Sequence, residues 1–209
     1  MLRIKICGLT TPQDAEAAIE FGADALGFNF FAGSKRYVRR ETAGEWIATL
    51  PGNVEKVAIL VNPSWDEARA AATTAGINSL QLHGAETPDF CRRLMDEGIR
   101  LEKALPVTGA DSVANVPDFF TRTLLLDSGG AGEFGGSGRT FPWEIARRFV
   151  EANPHLRVIL AGGLTPENVA EAVAIVKPFG VDVTSGVESG AGRKDRGLLR
   201  AFITAARAA

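Results

Sequence analysis

Two residues with acid–base side chains follow short apolar runs in this 209-residue chain. Cys7 ends the run IKIC and Asp127 ends the run TLLLD, while Gly162 and Gly163 close a third run, VILAGG. When reactive residues collect at the carboxyl ends of separate strands, the arrangement is that of a barrel whose chemistry lies on one face. A thiolate at Cys7 could remove a carbon-bound proton there, and a protonated Asp127 could donate one.

The two side chains would have to meet opposite conditions. As a base, Cys7 needs a pKa below its usual value of about 8.5, and as an acid, Asp127 needs a pKa well above about 3.9. The plain alternatives are a cysteine that fills the core and an aspartate that is exposed on a turn. For Cys7, the position at the end of a strand favours the catalytic interpretation, whereas for Asp127 exposure on a turn is the commoner case and both interpretations stay open at this point.

The composition excludes several classes of function. The formal net charge is −2 with no long single-sign block, so we expect a small-molecule partner and neither nucleic acid nor an acidic membrane surface. The N-terminus lacks a signal sequence and no apolar stretch approaches the roughly 18 residues of a membrane span, which favours a cytoplasmic enzyme. Two cysteines (Cys7, Cys91) and two histidines (His83, His155) are too few for a disulfide framework or a dense metal site. We therefore expect reduced thiols and no metal, with Cys91 filling the core beside its apolar neighbours in PDFCRRLM.

The elements that must position these residues are short β-type runs that alternate with amphipathic segments. Such alternation predicts an α/β fold, a single-domain (β/α)₈ TIM barrel over residues 1–209, although an open doubly wound sheet stays possible. Between Val107 and Phe120 the apolar residues do not hold a helical period and Pro117 interrupts them, so the fifth helix should be short or absent. The eight predicted strands are 3–7, 25–30, 56–61, 79–83, 100–105, 123–127, 157–162 and 181–185.

Three predicted helix starts carry the same dipeptide. Thr-Pro stands at 11–12, at 87–88 and at 165–166. The threonine hydroxyl can accept a free N–H group and proline fits the first helical position. Each pair is therefore predicted to begin a helix.

A set of ordered motifs resembles the phosphoribosylanthranilate isomerases over nearly the whole chain. The resemblance implies a (β/α)₈ barrel that carries out a cofactor-independent Amadori rearrangement in tryptophan biosynthesis. Its substrate would be N-(5-phosphoribosyl)anthranilate and its product 1-(2-carboxyphenylamino)-1-deoxyribulose 5-phosphate. The matching segments are KICGL at 5–9, DALGFNF at 24–30, SKRYV at 34–38, LQLHG at 80–84, LLLDS at 124–128, GGSG at 135–138, LAGGLTPENV at 160–169, VDVTSGVE at 181–188 and GRKD at 192–195.

The resemblance also implies roles for particular residues. Cys7 would be the general base, Asp127 the general acid, and Arg36 the partner of the anthranilate carboxylate. The seventh and eighth strand ends carry glycine turns, which often bind phosphate in such barrels through backbone N–H groups. For His83, lining of the pocket and satisfaction of the core are equally open. The predicted phosphate ligands are Gly162, Gly163, Ser185 and Gly186.

The segment GGAGEFGGSG at 129–138 contains a misleading motif. Residues 130–135 read G-x-G-x-x-G, but a dinucleotide turn must open straight into a helix and more glycine follows here. We predict a mobile lid instead, with Gly136 near the phosphate.

Other functions remain open at this stage. A histidine-pathway isomerase would need a carboxylate where the first strand offers Cys7. Lys103 could form a Schiff base as in an aldolase. The chain could also be a non-catalytic barrel that binds a phosphate ligand. Either a monomer or a homodimer is expected.

Overall fold

The computed structural model describes residues 1–129 and 140–209, and in these ranges eight parallel strands form a closed barrel. Each strand pairs with the next along the chain and the eighth pairs with the first, as in the register Ile4 to Val181. The predicted TIM barrel is therefore confirmed. The strands are β1 (Arg3–Ile6), β2 (Ala25–Asn29), β3 (Glu55–Leu60), β4 (Ser79–Leu82), β5 (Leu101–Pro106), β6 (Thr123–Asp127), β7 (Arg157–Leu160) and β8 (Gly180–Val183).

Helices cover the outside of the barrel. Between β5 and β6 a short 3₁₀ turn (Ala110–Val113) takes the place of a helix, which confirms the prediction for this segment. None of the helices in the described ranges has both the length and the apolar character needed to cross a bilayer. The helices are α1 (Pro12–Glu20), α2 (Arg40–Ile47), α3 (Trp65–Ala72), α4 (Pro88–Asp96), α5 (Trp143–Ala152), α6 (Val169–Val176) and α7 (Arg196–Ala208).

Two of the three predicted helix starts are confirmed. The Thr11 hydroxyl accepts the N–H of Asp14 at 3.2 Å at the start of α1. In the same way the Thr87 hydroxyl accepts the N–H of Phe90 at 3.2 Å at the start of α4. In both helices proline occupies the first turn, where its missing N–H would have no partner in any case.

The third predicted start, at Thr165-Pro166, is wrong. The helix α6 begins at Val169 with Asn168 as its cap. The Asn168 amide accepts the N–H of Thr165 at 2.8 Å and donates to the carbonyl of Gly163 at 3.0 Å. Because these two bonds hold the chain in a turn, helical geometry starts three residues later than the dipeptide indicates.

The two faces of each strand meet different surroundings. Along β1, Ile4 and Ile6 join the main core between barrel and helices, whereas Lys5 and the following Cys7 lie on the opposite, inward face. On α4, Cys91 is fully buried in the outer core as predicted, and burial raises the pKa of its thiol to about 11. A separate apolar cluster fills part of the barrel interior, and its members are Ala104, Leu125, Ile159 and Ala161.

A small hairpin follows the last barrel strand. It joins β9 (Glu188–Gly190) to β10 (Arg193–Lys194) in antiparallel pairing and leads into α7. Asp195 caps α7 by accepting the N–H of Leu198 at 2.9 Å. The hairpin thereby holds its charged residues near the carboxyl ends of the barrel strands.

Candidate active site

A pocket opens at the carboxyl ends of the barrel strands. Every predicted site residue within 1–129 and 140–209 lines this pocket, so residues far apart in sequence are brought together. The predicted lid falls, from residue 130 on, outside the described residues, and so does Gly136. The predicted residues that line the pocket are Cys7, Arg36, His83, Asp127, Gly162, Gly163, Ser185 and Gly186.

Asp127 and His83 form a close pair inside the pocket. Asp127 ends β6 and is buried, and its Oδ2 lies 3.2 Å from Nε2 of His83, which follows β4. On its other side, Nδ1 of His83 lies 3.2 Å from Nε2 of Gln81. Two interpretations were open for His83, and the structure agrees with the one in which this residue lines the pocket. Gln81, one of the deeper residues of the pocket, was not predicted.

The Cys7 thiol is buried at the end of β1. Burial raises the pKa of this thiol, and the negative charge of Asp182 raises it too, while the cations Lys5 and Lys194 oppose the shift. The lowered pKa that a base requires is therefore absent from the described structure, because desolvation is the largest effect. Gly27 explains how the thiol fits, since a Cβ at that position would lie 2.8 Å from Sγ of Cys7.

Arg36 enters the pocket with its guanidinium already held. Its Nε lies 2.9 Å from Oε1 of Glu188 and its Nη2 lies 2.7 Å from Oε2, a two-point contact. Lys194 adds a bond of 2.9 Å to the same carboxylate. Burial favours the neutral form of Glu188, but the bonds from Arg36 and Lys194 hold its pKa below the usual value. The pairing fixes the direction of the guanidinium, and among the described residues Nη1 has no hydrogen-bond partner.

The glycine turns after β7 and β8 bring backbone close to the pocket. Gly162 and Gly163 adopt φ values of +83° and +65°, which favour glycine. A Cβ at Gly162 would collide with Ser128, and one at Gly186 would collide with the carbonyl of Leu164. Within the described ranges, no acceptor bonds the N–H of Gly162 or Gly163. The turns therefore present donors of the kind that bind anions.

Lys103 lies outside this site. Its ammonium contacts the carbonyls of Gly84 at 2.8 Å and Ala104 at 2.9 Å, and it pairs with Glu86 at 3.1 Å. It does not line the pocket. A Schiff-base role would require a free amine that reaches the substrate, so this alternative is not supported.

Fold and site together define the class of protein: a (β/α)₈ barrel with a pocket of titratable side chains and glycine turns at the carboxyl ends of its strands, which is where enzymes of this fold have their active sites. The family model described as N-(5'phosphoribosyl)anthranilate (PRA) isomerase matches residues 4–205. The chain belongs to this family, an isomerase family, as the sequence motifs indicated.

Individual relatives agree with this assignment. The N-(5'-phosphoribosyl)anthranilate isomerase of Geobacter sp. strain M21 is 45% identical over 207 residues, covering 99% of this chain and 98% of the relative. The crystal structure of the phosphoribosyl anthranilate isomerase of Thermotoga maritima has a TM-score of 0.88 at 35% identity, with 100% of both chains covered. A second isomerase structure, in complex with reduced 1-(o-carboxyphenylamino)-1-deoxyribulose 5-phosphate, has a TM-score of 0.84 at 35% identity and the same coverage.

Proposed function

We propose that the protein converts N-(5-phosphoribosyl)anthranilate into 1-(2-carboxyphenylamino)-1-deoxyribulose 5-phosphate, the isomerisation of tryptophan biosynthesis. The observation that carries this proposal is the meeting of Cys7, Asp127 and Arg36 in one pocket beside the glycine turn at Gly162 and Gly163. An acid, a base, a carboxylate ligand and a phosphate ligand are the four functions that this substrate needs. Membership of the isomerase family supports the same reaction.

Asp127 opens the sugar ring as a general acid. It gives its proton to the furanose ring oxygen while the bond from that oxygen to C1′ breaks. The nitrogen lone pair then forms the double bond to C1′, which leaves an iminium ion and a carboxylate at Asp127. His83 stands 3.2 Å from this carboxylate and can donate a hydrogen bond to it.

Cys7 completes the rearrangement as the base. Its thiolate takes the proton from C2′, and the electrons of that C–H bond neutralise the iminium to give an enolamine, which tautomerises to the ketone. The iminium is a cation, and a nearby opposite charge favours the thiolate over the buried thiol. In this account the substrate itself offsets the desolvation that disfavours the base in the free protein.

The two ends of the substrate are held by different kinds of donor. The free edge of Arg36 would grip the planar anthranilate carboxylate, because its Nε edge is already paired with Glu188. The phosphate would lie on the backbone N–H groups of Gly162, Gly163, Ser185 and Gly186. Since one chain supplies every ligand in this scheme, a monomer or a homodimer would serve equally. The cytoplasm, which keeps thiols reduced, suits the base.

The test is the loss of fluorescence of the anthranilate adduct on addition of the purified protein. Wild type should consume the adduct without added metal or cofactor, and Cys7→Ala should consume it at a rate lower by at least about 10². Wild type without turnover, but with inorganic phosphate still bound at the glycine turns, would instead indicate a non-catalytic phosphate-binding barrel.

A further inference from the structure

A line of polar side chains runs through the barrel interior from Lys5 to Asp127. The Lys5 ammonium donates to Oε1 of Gln81 at 2.5 Å, and Nε2 of Gln81 lies 3.2 Å from Nδ1 of His83. Nε2 of His83 then lies 3.2 Å from Oδ2 of Asp127. Lys5 and Gln81 are 0% and 1% exposed, so these side chains depend on one another for their hydrogen bonds more than a surface pair would.

The donors and acceptors along this line can be arranged in one way. An ammonium has only donors, so the Gln81 atom that meets Lys5 must be the amide oxygen. The amide NH₂ group of Gln81 therefore faces Nδ1 of His83 and donates to it. A proton on Nδ1 would place two donors face to face, so the proton of the neutral ring belongs on Nε2.

The surrounding charges favour the same arrangement. Asp182 pairs with Lys5 at 3.1 Å, and although burial opposes the lysine charge, this pairing raises the pKa of Lys5 above its usual value. The ammonium is thus a permanent donor to Gln81. Groups near the imidazole that can carry charge are Asp127 in direct contact, Lys5 and Asp182 behind Gln81, Cys7 and Arg36 in the same pocket, and Lys103, which bonds the carbonyls of Leu82 and Gly84 on either side of His83.

We propose that Gln81 is a positioning residue that locks His83 as the neutral ring with its proton on Nε2. In this state His83 donates to Oδ2 of Asp127 and leaves Oδ1 to carry the proton that goes to the substrate. When Asp127 releases that proton, the bond from His83 becomes charge-assisted and stabilises the carboxylate. The last two steps rest on the proposed function, whereas the locked tautomer does not.

The tautomer can be measured without any substrate. The chain has two histidines, His83 in the pocket and His155 on the surface, so the ¹⁵N spectrum of the imidazoles is simple and His155→Gln assigns it. We expect the His83 signals of a ring protonated on Nε2 only. Signals of a ring protonated on Nδ1, or on both nitrogens, would overturn the proposal. This outcome does not depend on turnover, so it separates failure of the proposal from failure of the proposed reaction.

Two substitutions test the part played by Gln81 itself. Gln81→Glu offers His83 only acceptors, so a proton should appear on Nδ1, and kcat should fall about ten- to hundredfold with little change in KM. Gln81→Met keeps the bulk without the amide, so both neutral tautomers should be populated and kcat should fall less. His83 signals that stay those of wild type in both variants would refute the role of Gln81. If Gln81→Glu fails to fold in thermal unfolding, Gln81→Met carries the test.

Discussion

The barrel interior contains two groups of side chains of opposite character, which are named the apolar half and the polar half. The apolar half is the cluster of Ala104, Leu125, Ile159 and Ala161, contributed by β5, β6 and β7. The polar half holds Lys5, Gln81 and Asp182 from β1, β4 and β8, and Lys5 contacts both of the other residues. A buried ion pair is often no more stabilising than well-packed apolar residues. The polar half is therefore better explained by the pocket above it than by stability.

The two halves also support the site differently. The polar half is connected to the pocket through side chains, because Gln81 contacts His83 and His83 contacts Asp127. The apolar half continues from Ala161 into the turn at Gly162, where backbone N–H groups face the pocket. In the proposed mechanism, side chains therefore serve the proton transfers and backbone N–H groups bind the phosphate.

The largest expected effect comes from breaking the pair in the polar half. Lys5→Met leaves the buried carboxylate of Asp182 without its partner at 3.1 Å and should lower the free energy of unfolding by about 3–5 kcal/mol. A second change, Asp182→Val, should restore most of the loss because it removes the uncompensated charge. Urea unfolding of both variants makes the comparison, and a loss below about 1 kcal/mol in Lys5→Met would contradict the division.

Leu125→Ala is the matched variant in the apolar half. It should destabilise by about 2–5 kcal/mol through a cavity, with no charged partner whose removal could compensate. Rescue in the polar half without rescue here would sharpen the distinction between the two halves.

The next effect concerns Arg36, the residue that we propose binds the substrate carboxylate. Arg36→Met should lower kcat/KM by a factor that corresponds to about 2–4 kcal/mol, since it leaves the carboxylate of the substrate without the guanidinium. Arg36→Lys should lose less, because it keeps the charge but not the planar fork. With a substrate analogue that lacks the carboxylate, wild type and Arg36→Met should become nearly equal. An equal loss of kcat/KM with both substrates would indicate that Arg36 supports the fold or binds the phosphate instead.

A smaller effect is expected at the backbone side of the site. Gly163 has a φ of +65°, which a β-branched residue adopts only with strain, so Gly163→Val should raise KM about tenfold with a smaller change in kcat. Inorganic phosphate or sulfate should compete with substrate in wild type and compete less well in the variant. Anion binding that is unchanged in Gly163→Val would remove this turn from the phosphate site.

Much of this arrangement could be predicted because strand ends are visible in the sequence. Cys7 and Asp127 follow apolar runs, and the alternation in RIKIC and in SLQLH already puts Lys5 on the face of Cys7 and Gln81 on the face of His83. Lys5 and Gln81 are 76 positions apart in the sequence, so no local sequence pattern predicts their contact.

The pairing of Glu188 with Lys194 shows no periodic pattern in the sequence, although both residues lie in segments that match the family. Glu188 and Lys194 lie on β9 and β10, strands of three and two residues, which are too short to show a period. The contacts of Glu188 with Arg36 and with Lys194 depend on the hairpin that follows the last barrel strand. The raised pKa of the Cys7 thiol was also missed, because it arises from desolvation inside the assembled pocket.

The most direct test of the acid–base assignment is the pH dependence of kcat/KM in wild type, Cys7→Ala and Asp127→Asn. Because burial raises the pKa of the Cys7 thiol, its basic form gains with rising pH, so wild-type activity should increase with pH over the range in which the thiolate forms. Each variant should lose at least about 10² in rate, and Cys7→Ala should also lose this increase with pH. A variant that keeps the wild-type pH dependence and a near-wild-type rate would remove its residue from the mechanism.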